Sequence, residues 1–92
     1  MTRNDILQAA AKAVCSDRNQ QYGEPEDNFK AIARLWSAYL GIHISPLMAA
    51  AMMILFKVGR IETSPSPTDD TFVDIAGYAA CGGEIAGGNN ER

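Results

Sequence analysis

Ten consecutive residues, Leu47-Met48-Ala49-Ala50-Ala51-Met52-Met53-Ile54-Leu55-Phe56, place no polar side chain on any face of a helix. Ser45-Pro46 precede the run and Lys57 and Arg60 follow it. It is too short for a bilayer, which needs roughly 20 apolar residues. It therefore reads as a helix buried all round, either central to the fold or shared between subunits. Ser45 is placed to cap that helix, and Pro46 suits its first turn. A helix that wants neighbours on every side predicts an all-α bundle that self-associates.

The remaining punctuation divides the chain around this helix. Thr2 followed by Asp5 forms a helix-start box, and Ile6, Ala10, Ala13 and Val14 recur at helical spacing, predicting a first helix over about 3–16. Glu24-Pro25 opens a second, whose apolar stripe of Phe29, Ile32, Ala33, Trp36 and Leu40 ends at Gly41. Pro65 and Pro67 end the third helix in a Ser-Pro connection, because proline lacks a donor and disfavours helical geometry before it. A fourth begins at Asp69, where acidic residues suit the helix dipole, packs through Phe72, Ile75, Ala76, Ala79 and Ala80, and fades near Ala86. Gly77, Gly82 and Gly83 within it signal close backbone approach to a neighbouring helix or a ligand. Trp36, Met48, Met52 and Met53 stand at core spacing. With no strand pattern, the expectation is a compact bundle of about four helices in one domain, 1–86, with a flexible tail, 87–92.

Composition narrows the function. A chain of 92 residues supports one modest core, a further reason to expect a homo-oligomer. A net charge of −3 and few clustered cations argue against a surface for duplex nucleic acid. Cys15 and Cys81 lack CxxC spacing and His43 is the single histidine, so one chain cannot assemble a Cys/His zinc site. Both thiols read as reduced packing residues, and His43 as a solvated group after a helix C-terminus. Thr2-Arg3-Asn4-Asp5 is no secretory leader, which places the protein in the cytoplasm, the host's if a phage encodes it.

Two regions can carry chemistry. The loop Asp17-Arg18-Asn19-Gln20-Gln21-Tyr22-Gly23-Glu24 is far richer in polar groups than a helix connection requires. Arg18 can bind phosphate and Tyr22 can stack on a base or sugar, with Asn19 and Asn28 reading polar edges. Alternatively Arg18 pairs with Asp17 or Glu24, and Tyr22 fastens the loop onto Trp36. The second region places Asp70, Asp74 and Tyr78 on one face of the fourth helix, spaced by four. If the third and fourth helices are antiparallel, Lys57 and Arg60 meet these acids. They then form ion pairs, or the acids hold Mg²⁺ while the cations bind phosphate.

The Arg18-x-x-x-Tyr22-Gly23 loop leading to Asn28-Phe29, with Asp70-x-x-x-Asp74-Ile75-Ala76-Gly77-Tyr78-Ala79 after it, resembles small phage-type proteins of an uncharacterised family. The likeness runs from about Asp17 to Glu84. The layout also looks distantly like the MazG-like all-α nucleoside triphosphate pyrophosphohydrolases, whose oligomeric bundles present acidic side chains to Mg²⁺ and nucleotide. That superfamily's Glu-Glu-x-x-Glu motif would fall on the second helix, where this chain has Leu35-Trp36-Ser37-Ala38-Tyr39-Leu40 without a carboxylate. The resemblance therefore implies a phage-type nucleotide binder, suited to sequestering a signalling nucleotide, through Arg18, Tyr22, Asn28, Lys57, Arg60 and Tyr78, with Asp70 and Asp74 as metal or organising residues. The alternatives are a Mg²⁺-dependent pyrophosphohydrolase completed by Glu24, Glu26 or a neighbouring subunit, and a structural or protein-interaction bundle that binds no small molecule.

Overall fold

The computed structural model describes residues 1–17, 23–66 and 68–88. They form four α-helices, α1 (Arg3–Lys12), α2 (Pro25–Leu40), α3 (Pro46–Thr63) and α4 (Asp69–Gly87), with no strand among them. A π-helical turn, Ala13–Asp17, continues α1. Within this turn region the Ser16 hydroxyl donates to the Lys12 carbonyl at 2.8 Å, competing with the main-chain ladder.

The helix ends follow local chemistry. At α1 the Asp5 N–H donates to Thr2 Oγ1 at 3.1 Å and the Thr2 N–H to Asp5 Oδ2 at 3.0 Å, a reciprocal capping box. The Thr2 backbone bond, aided by the Thr2 hydroxyl, holds the Asp5 carboxyl below its ordinary range. Ser45 caps α3 by accepting from the Met48 N–H at 3.1 Å. Gly41 ends α2 in the left-handed region, φ 73°, and donates to the Ser37 carbonyl at 2.9 Å. The Ser37 hydroxyl then bridges the connection, accepting from the Ile44 N–H at 2.8 Å and donating to its carbonyl at 3.2 Å. That bridge turns the chain back into α3.

α3 and α4 make the most extensive helix pair and run antiparallel, since Lys57 meets Asp74 while Ala50 lies against Gly82. α1 runs beside α4 in the same direction, with Met1 near Asp69 and Val14 against Gly77. The core gathers Phe29, Ala33, Ile44, Ala49, Ala50 and Cys81, with Trp36, Met53 and Tyr78 packed against it. Phe29 is fully buried and meets the Tyr78 ring edge-on, centroids 6.1 Å apart at 76°.

Three packing expectations are corrected. First, α3 is not buried all round in one chain: Ala49 and Ala50 are covered, whereas Leu47, Met48, Met52, Leu55, Phe56 and Val58 are exposed. Two flanking helices cover one side of a helix, and four helices supply no more. Second, α4 buries Gly77, Cys81 and Gly82, while Phe72, Ala79 and Ala80 face outward. Small residues win the interior because they let α1 and α3 approach closely, although Gly83 meets nothing and has no such role. Third, Leu40 is exposed at the end of the α2 stripe. Among the described residues no helix is long and apolar enough to cross a membrane.

Candidate pocket beside the polar loop

The π-helical turn, the start of α2 and the C-terminal half of α4 enclose a pocket of about 320 Å³. Val14 and Cys15 form one wall, Glu24 and Pro25 a second, and Ala80, Cys81 and Glu84 a third. A π-helical turn fits one extra residue into its loop, which shifts the side chains that follow relative to a continuous α-helix, and such turns often mark functional sites. Gly23, at φ 83°, sets the chain's entry to Glu24 and Pro25. Cys81 belongs to the core and Cys15 is exposed at the pocket, so only the first packs as expected. The volume is at the small end of the range for small-molecule sites, and the walls combine apolar surface with two carboxylates.

The residues singled out from sequence do not converge on one point. Arg18, Asn19 and Tyr22 lie outside the described residues, although the pocket is built from the residues on either side of that segment. Asn28, half-buried, follows on the first turn of α2, and Tyr78 packs on Phe29. Lys57, Arg60, Asp70 and Asp74 sit toward the other end of the α3–α4 pair. Asp70 is fourteen residues from Glu84, about 21 Å along the axis of α4.

At that second end Lys57 Nζ lies 2.9 Å from Asp74 Oδ2, and the Arg60 guanidinium stacks over the Phe56 ring at 4.9 Å. The antiparallel geometry thus delivers the ion pair. A Mg²⁺ ion at Asp74 would compete with the Lys57 ammonium for that carboxylate. Among the described residues no three His, Cys, Asp or Glu side chains gather to hold a metal ion. Asp74→Ala is expected to lower stability by about 0.5–1 kcal/mol, the scale of a partly exposed pair, by the same amount with and without Mg²⁺. Urea unfolding in both buffers tests this, and a Mg²⁺-dependent stabilisation of the parent lost in the variant would contradict it.

Sequence reasoning missed Glu84, Ala80 and Val14 as pocket residues. Each lies in a regular helical pattern and becomes a wall only when α4 crosses the π-helical turn.

Comparison with known proteins places this arrangement in a phage setting. The chain is similar to the Gene 55 protein of Mycobacterium phage D29, 43% identical over 76 residues, covering 83% of this chain and 50% of that protein. It is equally similar to the Gene 55 protein of Mycobacterium phage L5, 43% identical over 75 residues, covering 80% of this chain and 47% of that protein. The chain therefore spans about half the length of the curated relatives it matches. No solved structure matches it significantly. Residues 5–86 match the Domain of unknown function (DUF6378), and the chain, a phage-type all-helical protein, belongs to that family.

Proposed function

We propose that this chain is an oligomeric nucleotide-binding module of phage type, with its ligand in the pocket between the π-helical turn, α2 and α4. The observation that carries the reading is the position of that pocket. Its walls are Val14 and Cys15 on one side of the Arg18–Tyr22 segment and Glu24 and Pro25 on the other. A polar loop beyond the needs of a turn is thereby tied at both ends to a cavity of ligand size.

The lining suggests a division of labour. Val14, Pro25 and Ala80 offer apolar surface to a ring face, while Glu24 and Glu84 are acceptors for the amino and ring N–H groups of a base. Carboxylates repel phosphate, so a phosphate needs a cation from elsewhere in the chain, and the residue types the sequence offers for phosphate and for stacking on a base or sugar are Arg18 and Tyr22. Lys57 pairs with Asp74 of α4 and Arg60 lies over Phe56 of its own helix, both away from the pocket. A protein with these parts can bind and sequester a nucleotide without transforming it.

The test incubates purified protein with linear and cyclic nucleotides, with and without Mg²⁺, and analyses the free pool and the heat-released fraction by mass spectrometry. Intact recovery of one nucleotide is expected. Calorimetry should then show Arg18→Ala and Glu84→Ala each weakening that nucleotide about tenfold or more, the worth of a charge-assisted hydrogen bond, with Asp74→Ala unchanged. Metal-dependent conversion to a monophosphate would replace this reading with a pyrophosphohydrolase. Neither binding nor conversion would leave a structural bundle.

A further inference from the structure

The outward face of α3 is built from side chains that water should not see. Leu47, Ala51, Leu55 and Val58 follow one another at spacings of four, four and three, with Met48 and Met52 beside them. All six are exposed in the single chain, Leu55 by 67%. The opposite side of the same helix is occupied, by Ala49 and Ala50 in the core, Met53 against it and Lys57 on Asp74. The stripe is therefore a second packing surface on a helix whose first is already used.

The size of a stable interface says what the stripe can serve. A standard interface takes about 800 Å² from each partner and is most apolar at its centre, and six exposed apolar side chains in one stripe supply such a centre.

We infer that this stripe is the two-fold interface of a homodimer, with α3 packed antiparallel against α3 of a second copy. Ala51 and Gly59, which meets nothing within 4 Å, leave shallow positions on either side of Leu55 into which a facing ridge can seat. The antiparallel sense follows from charge. Glu62 ends the stripe, so a parallel pair would set two Glu62 carboxylates together. An antiparallel pair sets each near the N-terminus of the facing α3, where the helix dipole favours an anion. The axis then passes near Met52. This surface is distinct from the pocket, and its assignment does not depend on the ligand.

The full chain is examined by sedimentation across the micromolar range, with helicity followed by circular dichroism. The parent is expected at twice 9.9 kDa. Leu55→Glu should remain helical and weaken the dimer by about 30-fold or more, the effect of a central interface residue. Leu7→Glu, on an exposed site of α1, should leave the dimer intact. Should Leu55→Glu lose its helicity, oxidative cross-linking in a Cys15→Ser background decides the matter. Met52→Cys joins two chains near the axis, whereas Glu62→Cys does not, its two copies being about 30 Å apart. A parent that stays monomeric, a dimer indifferent to Leu55→Glu, or cross-linking through Glu62→Cys overturns the assignment. The monomer outcome would give the face to another chain or segment.

Discussion

Phe29→Ala is expected to lose about 3–5 kcal/mol of stability, the range for removing a buried ring without refilling its space. The loss should be near the top of that range. Phe29 is fully buried, it anchors α2 in a core shared with Ala49 and Ala50 of α3 and Cys81 of α4, and its ring meets the Tyr78 ring at 76°, a contact worth about a further 0.5–1.5 kcal/mol. On α3 the core residues Ala49 and Ala50 have no long side chains to swing into the void, which leaves any refilling to Trp36, Met53 and Tyr78 at the edge of the core. A chain of this length has a total stability of about 5–14 kcal/mol. Losing 4 kcal/mol or so therefore takes a large part of it, and the midpoint should fall by roughly 15–30 °C. Phe29→Leu, which keeps most of the volume, should lose less than half as much. Urea unfolding of the three proteins measures this. A loss under about 1.5 kcal/mol for Phe29→Ala would mean that the core is centred elsewhere.

The parts of this fold that sequence specifies are those with local causes. Thr2 and Asp5 make a box within one turn, Ser45 and Met48 make another cap, Gly41 supplies positive φ, and Pro65 breaks α3. Each can be read because the groups that decide it are neighbours in the chain. Burial is decided at longer range. The apolar run in α3 was legible as a demand for partners, but the single chain covers one side of it, and Leu55 and Val58 are left outside. The same holds for α4, where bulk argued for Phe72 inside and close packing chose Gly77, Cys81 and Gly82.

The candidate site shows the same division. Lys57 and Asp74 were expected to meet if the Ser-Pro connection left α3 and α4 antiparallel; the helices are antiparallel and the two side chains do meet. Glu84 could not be joined to Glu24 in that way, since sixty residues separate them and the pocket forms where α4 passes the π-helical turn. The turn itself has no strong signature, because Ala, Val, Cys and Ser are compatible with an uninterrupted α-helix.

Gly82→Leu is expected to destabilise the chain by about 3 kcal/mol, through overpacking rather than through loss of any contact. The argument rests on distance. A Cβ at Gly82 would stand 3.4 Å from the Ala50 Cβ, ordinary contact with nothing to spare, so Cγ and beyond must push α3 from α4 along their main interface. For a domain this small the midpoint should fall by roughly 12–24 °C. Alanine at the three glycines separates the causes. Gly83→Ala meets open space and should gain up to about 1 kcal/mol from helix propensity. Gly82→Ala has the same propensity gain at a contact that fits, and should be neutral or stabilising. At Gly77 the new methyl would lie 3.0 Å from Val14 Cγ1, tighter than most real contacts, so the Val14 side chain must give by a few tenths of an ångström and Gly77→Ala should rank lowest of the three. Thermal unfolding gives the order directly. Equal gains at all three positions would mean that α4 does not pack on α1 and α3 through its glycines, and the close approach that excludes Phe72 from the core would have to be abandoned.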